Sequence, residues 1–222
     1  MAEQSNSQKV VKGISSQTLV TLLMGVLEVI VFSIMSRLLS KEDFGLFAAI
    51  SAITLVFGSL SEAGIGSALI QKKNADNGYV NTSFTISFIS GSVFALLLIA
   101  LSGILSKTII DESLKVPLIF MSITILCNSL TSVNTSVMYR RLEFLQVGMV
   151  NFLALVISSS IAIGLALKGM GFEAIISKAI LQSLTATVLS YFLAKTKYRF
   201  QIECKDIGAI VNFGGWLTLS VI

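Results

Sequence analysis

Polar side chains recur at helical spacing within the apolar stretches of this 222-residue chain, and they are the groups best placed to do chemistry. Gln17, Thr21 and Glu28 fall four and seven residues apart with Gly25 between them, which puts them on one face of a helix. Thr124, Asn128, Thr131 and Thr135 repeat the arrangement, and Lys178, Gln182 and Thr185 do so again. If these three seams converge, they line a hydrated cavity suited to a hydroxyl-rich, sugar-like ligand. If they do not, they are interhelical hydrogen bonds worth about 0.6 kcal/mol each. Glu28 lies roughly 12 Å below the outer end of its apolar window at about 1.5 Å per residue. A carboxylate at that depth either faces a lumen as a proton or cation site, or is neutralised by protonation or by a partner such as Lys178. Lys178 lies near the start of its own window, where it either snorkels to the surface or meets a substrate phosphate.

Covalent chemistry is poorly served. With no histidine and no cluster of thiols or carboxylates at ligand spacing, neither a zinc site nor a histidine-dependent triad can be assembled. No cofactor is implied, and the chain does not read as an enzyme. Cys127 falls within an apolar window and Cys204 in a polar segment, so a disulfide between them is not expected. The sixteen basic residues are scattered between apolar runs without interleaved aromatics, which argues against nucleic acid.

The elements that must position the polar seams are membrane spans. Reading from charge to charge, the apolar windows are Gly13 to Ser36, Phe44 to Ser61, Asn77 to Ser106, Val116 to Tyr139, Phe144 to Leu167 and Ala174 to Ala194. Each is close to the roughly 20 residues a helix needs to cross a bilayer, and only Glu28 and Lys178 interrupt them with a formal charge. A composition of 54% hydrophobic and 13% charged residues agrees. The expected fold is an all-α integral membrane protein, with a six-helix bundle in residues 1–205. Residues 206–222 are expected to be the truncated start of a seventh helix, because no polar flank closes that last apolar run. Ser83, Ser87, Gly91 and Ala95 lie four apart, as do Ser158, Ala162 and Ala166; this small-residue pattern predicts close helix packing.

Basic residues fix the expected orientation. Lys9, Lys12, Lys72, Lys73, Arg140, Arg141, Lys195, Lys197, Arg199 and Lys205 fall on one side of the alternating spans. Arg37, Lys41, Lys107, Lys115 and Lys168 fall on the other. By the positive-inside rule the N-terminus is expected to be cytoplasmic.

Five strings, taken in order, carry a family resemblance. They are Arg37 to Leu46 (RLLSKEDFGL), Glu62 to Gln71 (EAGIGSALIQ), Arg140 to Phe144 (RRLEF), Gly169 to Glu173 (GMGFE) and Phe213 to Trp216 (FGGW). Together they resemble the Wzx-type oligosaccharide-lipid flippases of the multidrug/oligosaccharidyl-lipid/polysaccharide superfamily. The chain departs from the family pattern at Lys41, where proline is frequent, and at Glu143, where a less acidic residue is common. The resemblance implies two six-helix lobes, of which this chain supplies the N-terminal one and the beginning of the next. It also implies export of undecaprenyl-diphosphate-linked oligosaccharide across the bacterial cytoplasmic membrane by alternating access, for O-antigen, capsule or exopolysaccharide synthesis. Membrane lipid, a proton or sodium gradient and the glycan polymerase machinery are the implied partners. The competing readings are a multidrug or cation exporter of the same superfamily and a non-transporting half-length remnant.

Overall fold

A computed structural model describes residues 2–62, 64–72, 76–109, 114–203 and 208, with side chains from residue 15 onward except 108 and 109. The expected second-lobe start at 206–222, with its Phe213 to Trp216 string, lies outside the described residues, as does Cys204. Seven helices follow in order: α1 (Ala2–Leu38), α2 (Lys41–Glu62), α3 (Ile65–Gln71), α4 (Asn77–Ile109), α5 (Lys115–Arg140), α6 (Phe144–Leu167) and α7 (Gly171–Ala194). There is no strand among the described residues. Six spans are long and apolar enough to cross a membrane, with α2 and α3 joined as one.

The turns are encoded locally. Ser40 and Asp43 form a reciprocal cap at the start of α2: Ser40 N and Oγ donate to Asp43 Oδ2 at 2.9 and 2.8 Å, and Asp43 N donates to Ser40 Oγ at 3.1 Å. Gly169, at φ 84°, closes α6. Its N–H donates to the Ala166 carbonyl and that of Met170 to Leu165, a pairing that needs a left-handed residue. Leu142 closes α5 in the same way at φ 60°, an uncommon conformation for a side-chain-bearing residue. The adjacent Arg140 and Arg141 hold two other helix ends. The Arg140 guanidinium donates to the Leu69 and Lys72 carbonyls at the end of α3, and that of Arg141 to Ala194 at the end of α7. Cations belong at these negative helix termini.

The second span differs from its sequence reading. Glu62 marks the boundary of the window Phe44 to Ser61, yet the span runs from Lys41 to Gln71. Gly64, at φ 65°, bends the chain, and α3 resumes beyond it with Ile65, Gly66, Ala68 and Leu69 buried. Gly66 has no room for a Cβ, which would lie 2.7 Å from the hydroxyls of Ser132 and Ser136 on α5. Glu62 is therefore an interior residue of the span rather than its flank.

Helix α5 is the hub, packing on α2, α3, α4, α6 and α7, whereas α1 leans mainly on α6. In α5, 44% of the spanning window is buried, against 11% in α1. Lipid is as apolar as leucine, so shape and small residues must bring the helices together. The predicted stripe of Ser83, Ser87, Gly91 and Ala95 is buried, and a Cβ on Gly91 would meet Ser129 of α5 at 3.0 Å. Ser158, Ala162 and Ala166 of α6 are buried as well. Between them, Ile50, Leu98, Leu118 and Ile125 fill the interior shared by α2, α4 and α5.

Candidate functional site

Four helices, α2, α5, α6 and α7, line an open pocket of about 480 Å³. That lies within the roughly 300–1,000 Å³ typical of small-ligand sites. Helix α2 contributes Ser51, Thr54, Gly58 and Glu62 at intervals of three, four and four, a polar face turned inward. Helix α5 adds Thr124, Asn128 and Thr131, α6 adds Asn151, and α7 adds Gln182 and Ser183. The lining contains no basic residue, so Glu62 is its one formal charge.

The polar groups divide by how they are satisfied. The hydroxyls mostly spend their protons on their own helix. Thr54 donates to the Ile50 carbonyl at 2.9 Å, Thr124 to Met121 at 2.6 Å and Ser183 to Ile180 at 2.9 Å. Thr131 is within bonding distance of both the Cys127 carbonyl and the Thr187 hydroxyl, each at 2.9 Å, so it ties α5 to α7. By contrast, the Glu62 carboxylate and the amides of Asn128, Asn151 and Gln182 make no hydrogen bond or ion pair to a described residue. The Ser51 hydroxyl is buried in the same wall, also without a partner. An amide offers two donors and two acceptor lone pairs, so three amides and a carboxylate facing one space suit a ligand rich in hydroxyls.

A second pocket of about 370 Å³ adjoins the first, with Ala179 and Gln182 belonging to both walls. Glu28 of α1 and Lys178 of α7 line it, among Phe32, Phe44, Phe47 and Met35. No ion-pair contact joins Glu28 to Lys178 among the described residues. Of the polar groups singled out in the sequence, Asn128, Thr131 and Gln182 thus share the larger cavity, and Glu28 and Lys178 share the smaller. Gln17 and Thr21 come to neither. The Gln17 amide donates to the Tyr139 hydroxyl at 2.8 Å, and Thr21 lines a separate shallow groove with Leu22, Val26 and Ile30. The three seams of the sequence do not meet as a set; the seam on α1 is replaced by one on α2.

Glu62, Ser51, Thr54 and Asn151 escaped the sequence reading. The three-four-four spacing of Ser51, Thr54, Gly58 and Glu62 is the signal that would have found most of them. It was hidden because the span was closed at Ser61.

The family model for polysaccharide biosynthesis protein matches residues 34–222. Lipopolysaccharide biosynthesis protein WzxC of Escherichia coli (strain K12) is 20% identical over 218 residues, covering 97% of this chain and 44% of WzxC. The chain therefore spans less than half the length of that relative. No solved structure matches it. A multi-pass helical bundle, an open polar pocket and a family match over most of the chain agree, and the chain belongs to the polysaccharide biosynthesis protein family.

Proposed function

We propose that this chain forms the N-terminal lobe of a flippase that carries lipid-linked oligosaccharide across the bacterial cytoplasmic membrane by alternating access, with its N-terminus cytoplasmic. The observation that carries the proposal is a set of polar groups without a bonding partner among the described residues, the half-buried Glu62 and Gln182 and the exposed Asn128 and Asn151, lining one open pocket in an otherwise apolar bundle. Polar groups left unpaired within a membrane are costly unless they meet water or a polar ligand. A saccharide offers many hydroxyls to meet them, while a polyprenyl tail stays in lipid. The WzxC relative supports the polysaccharide side of the assignment by its name.

In this reading the amides of Asn128, Asn151 and Gln182 hold sugar hydroxyls. Glu62 takes up the coupling proton or sodium ion, because no basic residue in the cavity wall neutralises it. Lys178, across Gln182 in the adjoining pocket, is the nearby cation for a substrate phosphate. A second lobe closes the cavity from the other side, and contacts with the glycan polymerase pass the product on.

The wall's lone carboxylate also favours a second reading, export of an amphipathic cation, since an unpaired acid attracts positive charge. Deletion of the gene separates the two. Lipid-linked oligosaccharide building up on the inner leaflet, and cleared on complementation, supports the flippase. Unchanged lipid-linked oligosaccharide with raised sensitivity to cationic amphiphiles supports the exporter and overturns the flippase.

A further inference from the structure

Beyond α7 the chain turns at Lys195, held at φ 48°, and residues 196–203 pass along the start of α4 without helix or strand. Its backbone is fastened to α4 side chains: Arg199 N donates to Asn81 Oδ1 at 3.1 Å, Gln201 N to Thr85 Oγ1 at 3.2 Å, and Glu203 N to Thr82 Oγ1 at 3.1 Å. The sequence of this strap alternates, as an extended chain requires for two-sided packing. Tyr198 and Phe200 take one side. Tyr198 stacks on Phe84 with ring centroids 4.3 Å apart, and Phe200 meets Phe88 edge-on at 5.3 Å. Burial pushes the Tyr198 phenol up to about 12, so it packs as a neutral ring. Lys195, Lys197 and Arg199 take the other side.

That other side is a pocket of about 610 Å³ between the strap and Asn77 at the start of α4. Arg141, Lys195, Lys197 and Arg199 line it against one carboxylate, Glu203. Arg141 is committed to the end of α7, whereas the other three side chains make no hydrogen bond or ion pair to a described residue. Phe200 is 70% exposed and Ile202 46% exposed on the strap's opposite edge. An exposed aromatic beside a group of cations, just past the end of a spanning helix, marks the depth of the lipid headgroups.

We propose that this pocket binds the phosphate headgroup of an anionic membrane lipid. Three cations with no bonding partner among the described residues supply the charge at headgroup depth. The exposed Phe200 and Ile202 favour a lipid over free phosphate, because they place the pocket against acyl chains. The site is distinct from the interior cavity and does not depend on the transport reading.

The test is native mass spectrometry of the detergent-purified chain with undecaprenyl diphosphate, phosphatidylglycerol or zwitterionic phosphatidylethanolamine. Wild type is expected to retain at least one anionic lipid about tenfold more tightly than phosphatidylethanolamine. The triple variant Lys195→Gln, Lys197→Gln, Arg199→Gln is expected to lose that preference, while a matched triple on the opposite membrane face, Lys41→Gln, Lys115→Gln, Lys168→Gln, keeps it. Glu203→Gln, which removes the one carboxylate in the pocket wall, is expected to tighten binding, a gain that misfolding cannot mimic. A preference for undecaprenyl diphosphate over phosphatidylglycerol makes the pocket an entry point for a polyprenyl substrate; equal retention makes it a general anionic-lipid anchor. No preference in wild type, equal loss in both triple variants, or weaker binding in Glu203→Gln overturns the proposal.

Discussion

Glu28 and Glu62 are both carboxylates within spanning helices, yet their surroundings differ. Glu28 lies on α1, which packs mainly on α6, in a small pocket walled by phenylalanines, with Lys178 on the same wall. Glu62 lies beside the hub helix, in the larger cavity, with three free amides and no cation in the wall. The difference teaches that charge in a span does not by itself locate a working site. What matters is which helix carries the charge and what the neighbouring helices present to it. An acid with a basic neighbour has a local way to be neutralised, whereas one without must find a proton, an ion or a ligand.

The largest effect is expected from Glu62→Gln, which keeps shape and removes charge. Transport should fall about a hundredfold, near 2.7 kcal/mol, measured as lipid-linked oligosaccharide held on the inner leaflet in cells carrying only the variant gene. Glu28→Gln in the same assay should change it less than about threefold, because that change is below 1 kcal/mol; equal losses would break the contrast. Next comes Gly66→Leu, which must push against Ser132 and Ser136 where even a Cβ does not fit. Overpacking of this kind costs about 1–3 kcal/mol, and the thermal midpoint in detergent should fall accordingly. Asn128→Leu and Gln182→Leu each remove one amide from the cavity. Each should weaken apparent affinity for the glycan roughly three- to tenfold, in keeping with about 1 kcal/mol per hydrogen bond, with the midpoint unchanged. The smallest effect is expected from Thr131→Val, which severs the hydroxyl tie to Thr187 and costs about 0.6 kcal/mol of stability, with transport retained.

Much of the architecture was legible in the residues. Six apolar windows became six spans, and small residues spaced four apart became helix contacts, because length and shape dominate packing in lipid. Asn128, Thr131 and Gln182 were legible as neighbours, since α5 and α7 pack side by side and their polar residues line one pocket. Helix α1 was not legible in this way. Its inward face is set by Leu27, Val31 and Met35, with Val20 seated on Gly148 of α6. Thr21 follows Val20 and Glu28 follows Leu27, so each is turned about 100° away from a packed residue. A shared face on one helix does not say what that face meets. Glu62 was obscured for another reason. A charge with a glycine two residues on reads as the end of a span, and here Gly64, in the left-handed conformation, starts the short helix α3 beyond it. The alternation from Lys195 to Glu203 was visible as a period of two, but its partner, the polar edge of α4 at Asn81, Thr82 and Thr85, lies far away in sequence.

The shared polar pocket is tested most directly by the water accessibility of its walls. Single substitutions Glu62→Cys, Asn128→Cys, Asn151→Cys and Gln182→Cys, with Thr21→Cys for comparison, would be exposed in native membranes to a small, charged thiol reagent, above the background of the native cysteines. The account predicts fast modification at the first four positions, slowed together by lipid-linked glycan, and little at position 21. Modification at position 21 as fast as at 62, 128, 151 and 182, or protection of one of those four without the others, would contradict a common hydrated cavity.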